Sequence, residues 1–300
     1  MLSAEQIEHF ITFGFIKLEG CLDPGFCAEQ VRNGWTNSGY DPADPTTWVT
    51  DRLHQPSKIH WKVADIAPKA YAAMGELCGG LDRIHDPQWS DGFIINFRIE
   101  ADKPWQEPSA ATKGWHKDGD FFHHFLDSPE QGLLTIVIWQ DIAPRGGGTF
   151  IAPDSLGPVA RHLLERPEGV DPYEFPSKML VRQCRDFRSA TGRAGDVYLM
   201  HPYMLHASSP NLSGIARFIT NPPVHFREPM QFAPPRSPVE LATCRALGVE
   251  RLDFSIAGER RAVVPMPRRS KAEQEAAAAE NRRRAALEGA AFNGSTPSLY

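Results

Sequence analysis

The chain has 300 residues, of which 41% are hydrophobic and 23% are charged, and its formal net charge at pH 7 is −5. A chain of this size and apolar content can bury a substantial core, which argues against intrinsic disorder. The slight negative charge provides no broad basic surface for a phosphate backbone, so we expect no nucleic-acid partner. The 26 prolines and 24 glycines predict many turns, which favours an all-β or mixed fold over a long helical bundle.

The cysteines and the apolar segments indicate a cellular compartment. The five cysteines are odd in number and include no C-x-x-C pair, so neither a disulfide framework nor a thiolate zinc site is predicted. The N-terminal segment lacks the basic residues and the continuous apolar run of a signal peptide. The most apolar stretch, Leu133–Trp139, is far too short to span a bilayer. We therefore expect a cytoplasmic protein without a membrane partner.

The N-terminal part, residues 1–90, is predicted to be mainly helical. Ser3 and Gln6 form a capping box, Gly14 can end the helix that follows, and Pro24 suits the first position of a second helix. Residues 36–60 have no hydrophobic period and are predicted to be loop. The predicted helices of this part, which also contains a predicted strand at Phe15–Leu18, are Ser3–Gly14, Asp23–Trp35 and Asp65–Leu81.

From residue 91 onward the pattern changes to short apolar runs bounded by Gly, Pro, Asp and Asn, which is typical of strands. The predicted strands are Gly92–Ile99, Gly114–Asp118, Leu133–Trp139, Gly148–Ala152, Asp196–Met200 and Ile215–Thr220. Two helices are predicted between them, at Ser155–Arg166 and Pro172–Met179. This order, without a repeated βαβ unit, indicates a mainly β (α+β) fold in which helices pack on one side of an antiparallel sandwich or barrel.

The C-terminal tail differs in composition from the rest of the chain. Pro265 and Pro267 mark the expected end of a single domain at residues 1–265. The tail, residues 266–300, contains a segment from Arg268 to Gly289 that is rich in Ala, Glu, Arg and Lys and has no broad apolar stripe. This composition predicts a charged helix that is either solvated or used for contacts between copies in a homo-oligomer.

Two side chains near residue 117 can bind one metal ion. His116 and Asp118 occupy positions i and i+2, so on a strand both leave the same face. This H-x-D pattern is weak by itself and needs a third ligand. Two histidines, His201 and His206, follow a later predicted strand, and either of them can supply it.

The loop after His206 has strong turn chemistry and leads into a strand that contains Arg217. If this loop closes a symmetric hairpin, Arg217 lies opposite His206, with their Cβ atoms about 5 Å apart. An arginine in an apolar strand needs a carboxylate partner, and a bidentate one suits its planar group. Two His and one Asp leave three positions open on a non-haem Fe(II) ion, two for a 2-oxo acid and one for O2. Arg217 then predicts that the oxo acid is a dicarboxylate.

A larger set of motifs carries a family resemblance. These motifs are Gly14-Phe15, Gly114-Trp115-His116-x-Asp118, Gly147 to Ser155, Gly195-Asp196, His201-Pro202-x-x-Leu205-His206-x-Ser208-x-Pro210-Asn211 and Arg217. Together they resemble the phytanoyl-CoA dioxygenase (PhyH) family of Fe(II)/2-oxoglutarate-dependent oxygenases over roughly residues 3–227. The resemblance implies a double-stranded β-helix (a cupin-like jelly roll) at residues 91–227, with N-terminal helices packed on one sheet.

The resemblance implies that His116, Asp118 and His206 bind the iron, with His206 preferred over His201. The family often has Gln between the first His and the Asp. Here that residue is Lys117, which as the middle residue of the motif points away from the ligands. Related halogenases have a small residue in place of the aspartate, so Asp118 favours hydroxylation or another oxidation.

The resemblance also implies a co-substrate site. Arg217 would bind the distal carboxylate of 2-oxoglutarate, Ser208 would form a hydrogen bond with it, and Trp139 would line the site. The cofactors would be Fe(II), 2-oxoglutarate as the co-substrate, and O2. The expected reaction oxidises, most simply hydroxylates, a small-molecule substrate and releases succinate and CO2. The sequence has no basic cluster near the motifs of the kind that would indicate an acyl-CoA substrate.

Five residues are candidates for the substrate mouth, namely Trp105, Phe121, Phe122, His123 and Tyr203. Aromatic residues are also common in the core, and His123 is equally well explained as a loop residue. Two other classes of function remain open. One is a cupin-like metalloenzyme that does not use 2-oxoglutarate, and the other is a non-catalytic jelly-roll binding protein in which the three metal-site residues are simply hydrogen-bonded polar groups.

Overall fold

The structure, a computed structural model, describes residues 1–264 and, in the tail, residues 279, 280, 282, 283, 285 and 286. Apart from those six residues, the predicted tail helix and its role in homo-oligomer contacts lie outside the described residues. Within the described part of the chain, no helix is both long and apolar enough to cross a membrane.

Seven α-helices occur in residues 1–264, and the first two are placed by their caps. Ser3 and Gln6 form the predicted capping box at the start of the first helix, which ends at Gly14 with φ +70°. The side chain of Asp23 caps the second. The helices are α1 (Ala4–Phe13), α2 (Pro24–Ser38), α3 (Val63–Ile66), α4 (Pro68–Cys78), α5 (Leu156–Leu164), α6 (Ser177–Leu180) and α7 (Pro238–Leu247).

Three helical features differ from the prediction, and one is the expected helix Pro172–Met179, of which only the end forms, as α6. The expected helix Asp65–Leu81 is divided into α3 and α4 at Ala67, which has φ −144° because the residue before a proline is disfavoured in the α region. Helix α7 is not predicted, although its start carries the same signal as α1. Ser237 and Glu240 form a capping box there, with Pro238 at the first helical position.

Eleven strands form three antiparallel sheets in the described part of the chain. The six-stranded sheet has the order β1-β9-β6-β11-β5-β2, the three-stranded sheet has the order β10-β7-β8, and β3 pairs with β4. The strands are β1 (Phe15–Leu18), β2 (Arg52–His54), β3 (His60–Lys62), β4 (Gln88–Ser90), β5 (Ile94–Asn96), β6 (Leu134–Ile138), β7 (Thr149–Ala152), β8 (Arg188–Ala190), β9 (Val197–Met200), β10 (Leu205–Ala207) and β11 (Arg217–Thr220).

The six-stranded sheet has one face toward the helices and one toward the smaller sheet. On the helical side, Trp35 of α2 packs against Phe218, which also contacts Phe93. On the other side, Asn96 donates a hydrogen bond to the carbonyl of Ser209, next to the three-stranded sheet. The two larger sheets thus form a double-stranded β-helix with N-terminal helices on the outer face of the larger sheet, which confirms the predicted fold class.

Several strand predictions are wrong. Residues 114–118 form no strand and contribute only a single bridge at His116. Residues 36–60 are not all loop, because they contain β2 and the first residue of β3. Strand β2 has only three residues and lies at the sheet edge, where it leaves no extended hydrophobic alternation for sequence reasoning to detect.

Candidate metal centre

His116 and His206 are direct backbone partners. The N–H of each residue donates a hydrogen bond of 3.0 Å to the carbonyl of the other. This isolated antiparallel bridge brings the two imidazole rings to a centroid separation of 4.3 Å. Two segments that are 90 positions apart in the sequence therefore present their histidines side by side.

Asp118 completes a compact group of three side chains that can bind one metal ion. Its Oδ1 atom lies 3.3 Å from Nε2 of His116 and 3.3 Å from Nε2 of His206. One donor atom from each of the three residues falls within 4.8 Å of the others, which is the spacing of groups that share one metal ion. The side chain of His116 is 40% exposed and that of His206 is 9% exposed, so the site opens on one side.

The second nitrogen of each histidine is held by a backbone carbonyl. Nδ1 of His116 lies 2.8 Å from the carbonyl oxygen of Gly114, and Nδ1 of His206 lies 3.1 Å from that of Met204. A carbonyl only accepts, so each Nδ1 carries a proton, and each Nε2 is left either to bind a metal ion or, in the metal-free protein, to share a proton with Asp118. This is the arrangement that orients a histidine for metal binding.

The electrostatics of the group favour a cation between the ligands. Burial alone would raise the pKa of Asp118, but the charge of His206 and hydrogen bonds from both imidazoles hold it well below its usual range. Burial would likewise lower the pKa of His206, yet the Asp118 carboxylate raises it. The site therefore keeps an ionised carboxylate that attracts positive charge, and a divalent metal can supply that charge in place of protons.

Asn221 contacts the carboxylate from the other side. Its Nδ2 donates a hydrogen bond of 3.2 Å to Oδ2 of Asp118, the oxygen that does not face the histidines. Asn221 directly follows β11, the strand that begins with Arg217. Sequence reasoning missed this residue, because a single asparagine after a strand carries no signal of its own.

Lys117 points away from the ligands, as its position in the motif predicts. It is 8% exposed, and its Nζ lies 3.1 Å from Nδ1 of His124, 3.2 Å from the carbonyl oxygen of Asp118 and 3.3 Å from Oε1 of Gln131. Burial lowers the pKa of Lys117 to about 7. The side chain therefore ties the segment that carries two ligands to the segment that follows it.

His201 is not part of the metal group. It is fully buried against α7, where its Nε2 lies 3.2 Å from the carbonyl of Val239 and 3.1 Å from Oγ1 of Thr243. The structure thus brings His206, and not His201, to His116 and Asp118. Burial lowers the pKa of His201 to about 3, so it is neutral in the folded protein at ordinary pH.

The buried His201 predicts loss of stability in acid. Between about pH 6.5 and pH 3 the unfolded chain protonates this histidine but the folded protein does not, so the free energy of unfolding falls as pH falls. At about pH 4.5 the loss from this residue is on the order of 2 to 3 kcal/mol. Urea unfolding of metal-free protein at several pH values should show a shallower pH dependence for His201→Gln than for the wild type. An identical slope would contradict this.

Arg217 lies on the inner face of the larger sheet. It is 3% exposed, its Nε has no hydrogen-bond partner, and no carboxylate of the described residues forms an ion pair with it. Burial, and then the charge of Arg52, lower the pKa of Arg217 to about 9. A buried guanidinium without an anion is costly, so this position is suited to an anionic ligand from outside the chain.

The predicted hairpin that pairs Arg217 with His206 is wrong. Arg217 is the sheet partner of Asn96 on β5, whereas His206 pairs with Ile151 on β7 in the other sheet. The connection between β10 and β11 crosses from one sheet to the other. It is held by Asn211, whose side-chain amide donates hydrogen bonds to carbonyls of both β5 and the connection itself.

A second arginine lies in the same row of the sheet. Asn96 pairs with Arg217 on one side and with Arg52 of β2 on the other, so all three side chains leave the inner face. Nη1 of Arg52 donates a hydrogen bond of 3.2 Å to Oγ of Ser208, two residues after His206. Arg52 was missed by sequence reasoning because it lies in a segment predicted to be loop.

A cavity of about 920 Å³ opens beside these residues. Its walls include Arg52, Ser208 and Gly114, which lies two residues before His116. His116, Asp118, His206 and Arg217 are not among its lining residues, so the cavity lies beside the segments that carry the metal group, and it is large enough for a small organic molecule.

Trp139 does not line this region, so that expectation is wrong. It packs against Phe93, which also contacts Phe218, on the helical side of the sheet. Its Nε1 donates a hydrogen bond of 3.0 Å to Oγ1 of Thr220. Neighbouring residues of a strand point to opposite faces, so Trp139 shares the outer face with Phe218 and Thr220, and Arg217 points the other way.

Of the five substrate-mouth candidates, one lies next to the cavity. Trp105 stacks edge-on against Phe150, a cavity residue, with ring centroids 5.7 Å apart. The other four, none of which lines the cavity, are Phe121, Phe122, His123 and Tyr203.

Those four side chains are held elsewhere in the protein. Phe122 and Tyr203 are each 1% exposed, so they are core residues and the expectation is wrong for them. Phe121 and His123 exchange main-chain hydrogen bonds with residues 261 and 263. Their predicted contact with substrate has no support in this placement.

Comparison with known proteins identifies the family. The family model for phytanoyl-CoA dioxygenase (PhyH) matches residues 12–219, more than two thirds of the chain. This chain belongs to the PhyH family. No curated protein sequence matches it. The PhyH family consists of Fe(II)/2-oxoglutarate-dependent oxygenases. The His-Asp-His group of this chain is a donor set suited to iron. Fe(II) is therefore the cofactor of this protein, and 2-oxoglutarate is its co-substrate.

Solved structures with a similar chain path share little sequence with this PhyH protein. HygX from Streptomyces hygroscopicus, with nickel and 2-oxoglutarate bound, is 15% identical at a TM-score of 0.41, and the alignment covers 75% of this chain and 87% of HygX. AviO1 from Streptomyces viridochromogenes Tue57 is 16% identical at a TM-score of 0.45, with 78% and 97% covered. SnoK, a carbocyclase from nogalamycin biosynthesis, is 14% identical at a TM-score of 0.42, with 88% and 97% covered.

Proposed function

We propose that this protein hydroxylates a small molecule, with His116, Asp118 and His206 binding Fe(II) and Arg217 binding the distal carboxylate of 2-oxoglutarate. In the balanced reaction, substrate, O2 and 2-oxoglutarate give hydroxylated substrate, succinate and CO2. The observation that carries the proposal is the buried Arg217, which has no ion-pair partner among the described residues and begins β11, the strand directly followed by Asn221, which contacts Asp118.

The residues present fit an iron ion. Two neutral imidazoles with free Nε2 atoms and one carboxylate are the donor set of non-haem Fe(II) oxygenases, and they leave three positions for other ligands. The chemistry that bound Fe(II) supplies is the activation of O2 together with the oxidative decarboxylation of 2-oxoglutarate. Retention of the Asp118 carboxylate supports hydroxylation over halogenation, since halide binding needs the position that this carboxylate occupies.

The chain itself binds and orients the co-substrate. Arg217 can form two parallel hydrogen bonds with a carboxylate, and ligand binding then neutralises a charge that is otherwise buried alone. Ser208 is fixed by its hydrogen bond from Arg52, so it presents its hydroxyl at a defined place beside the cavity. Burial of Arg217 also keeps water from competing for the carboxylate.

The substrate is expected to be a small molecule because the cavity beside the metal group holds about 920 Å³. The five cysteines are free and buried, which agrees with a reducing compartment, and we place the protein in the cytoplasm.

The proposal is tested by product analysis. The protein, loaded with Fe(II) without oxygen, is incubated with 2-oxoglutarate, ascorbate and a pool of small metabolites, and oxygen is then admitted. Mass spectrometry should show one metabolite that gains a single oxygen atom together with succinate, in wild type and not in His206→Ala. Succinate formation that is the same in His206→Ala would refute the metal assignment, and metabolite loss without oxygen gain would refute hydroxylation.

A further inference from the structure

The carboxylate ligand is the least constrained part of the metal group. His116 and His206 fix each other through their backbone bridge, and each imidazole is oriented by a carbonyl. Asp118 belongs to no strand, so no sheet ladder fixes its backbone or its side chain. Because it must direct one oxygen at the shared ion, other contacts have to hold it.

Two contacts hold Asp118 at different points. Nζ of Lys117 lies 3.2 Å from the carbonyl oxygen of Asp118, and Lys117 is itself held by His124 and Gln131. These contacts anchor the main chain at Asp118. Nδ2 of Asn221 donates to Oδ2 at 3.2 Å, so the carboxylate is anchored too. The amide must present its nitrogen here, since its oxygen would face another acceptor.

Asn221 is placed by the strand that also carries Arg217. Arg217, Ile219 and Asn221 alternate along β11 and its end, so they leave the same inner face, with Arg217 and Asn221 about 13 Å apart along the chain. The residue after Asn221, Pro222, accepts a hydrogen bond from the hydroxyl of Thr135 on β6. The main chain at Asn221 is therefore fixed to the sheet.

We infer that Asn221 is a positioning residue that holds Asp118 as a one-oxygen metal ligand. Its hydrogen bond occupies Oδ2, so Oδ1 alone faces the two Nε2 atoms. If both oxygens bound the ion, one of the three positions needed for co-substrate and O2 would be taken. Asn221 thus keeps those positions open, and β11 aligns the co-substrate end of the site with the metal end. This inference rests on the proposed role of Asp118 as a ligand.

The test measures metal binding without turnover. Ni(II) is titrated into metal-free protein by calorimetry, without 2-oxoglutarate, for wild type, Asn221→Leu and Asn33→Leu, an exposed helical site that serves as the matched control. Loss of an outer hydrogen bond to a ligand typically costs about 10- to 100-fold in metal affinity. We expect Asn221→Leu to bind Ni(II) at least about 10-fold more weakly, with Asn33→Leu unchanged.

Two further measurements separate positioning from a structural role. The metal-free melting temperature of Asn221→Leu should stay close to that of the wild type, and the visible spectrum of its Co(II) form, which reports the number and geometry of ligands, should change. If Asn221→Leu does not fold, Asn221→Ala is measured in its place. Unchanged Ni(II) affinity and an unchanged Co(II) spectrum would overturn the inference.

The same titration distinguishes this inference from the proposed function. His116→Ala should lose high-affinity Ni(II) binding if the three residues form the metal centre. If it does and the Asn221 variants do not weaken binding, only the positioning role fails. If His116→Ala binds Ni(II) as the wild type does, the metal centre fails and the role of Asn221 fails with it.

Discussion

Replacement of Asp118 by alanine is expected to reduce Fe(II) affinity by at least about 100-fold and to abolish 2-oxoglutarate turnover, a larger effect than loss of an outer hydrogen bond. The variant removes the one anionic ligand and leaves two neutral imidazoles. Iron content after anaerobic loading and desalting, together with succinate release, measures both effects.

The matched control for this change is Asp120→Ala, an exposed carboxylate two residues later. Its iron content and succinate release should equal those of the wild type. Asp118 is held ionised by the two histidines, so its removal also lowers the pKa of His206 in the metal-free protein. If Asp118→Ala retained as much iron as the wild type, the assignment of the metal centre would be contradicted.

Replacement of Arg217 by alanine is expected to raise the KM for 2-oxoglutarate by about 100-fold, with iron content unchanged. Truncating one partner of a buried charge pair costs about 2 to 5 kcal/mol, and 1.4 kcal/mol corresponds to a tenfold change in affinity. The KM of Arg217→Lys for 2-oxoglutarate should lie between that of the wild type and that of Arg217→Ala, since lysine keeps the charge but loses the bidentate geometry. Succinate release at increasing 2-oxoglutarate measures the effect.

Replacement of Arg217 by an apolar residue is also expected to stabilise the ligand-free protein, although it impairs co-substrate binding. In the ligand-free protein its charge is buried without an ion-pair partner among the described residues, so Arg217→Met should raise the melting temperature while impairing co-substrate use. An exposed control, Arg32→Ala, should change neither property. An unchanged KM in Arg217→Ala would favour a metalloenzyme that does not use 2-oxoglutarate.

The site residues that were predictable from sequence are those with unusual chemistry in a recognisable order. His116, Asp118 and His206 are identified by ligand type and motif, and Arg217 by its charge in an apolar strand. Their pairing was not predictable, because a single bridge between residues 116 and 206 leaves no periodic signal. The hairpin prediction failed because the turn residues near Asn211 connect two different sheets.

The remaining errors concern the sheet face on which a residue lies, a short strand at the sheet edge and a long-range contact. All five residues of β6 are buried, so no polar alternation shows which face Trp139 uses, and it packs on the helices. Strand β2 is too short for a pattern, so Arg52 was missed, and Asn221 depends on a contact more than 100 positions away. Long-range contacts of this kind become visible only when the fold is known.

The most direct test of the account is an anaerobic titration of 2-oxoglutarate into Fe(II)-loaded protein, followed by the visible charge-transfer absorption that arises when a 2-oxo acid chelates Fe(II). We predict a saturable band in the wild type, a much higher half-saturating concentration in Arg217→Ala, and no band in Asp118→Ala. Absence of the band from iron-loaded wild type, or equal titration curves for wild type and Arg217→Ala, would contradict the account.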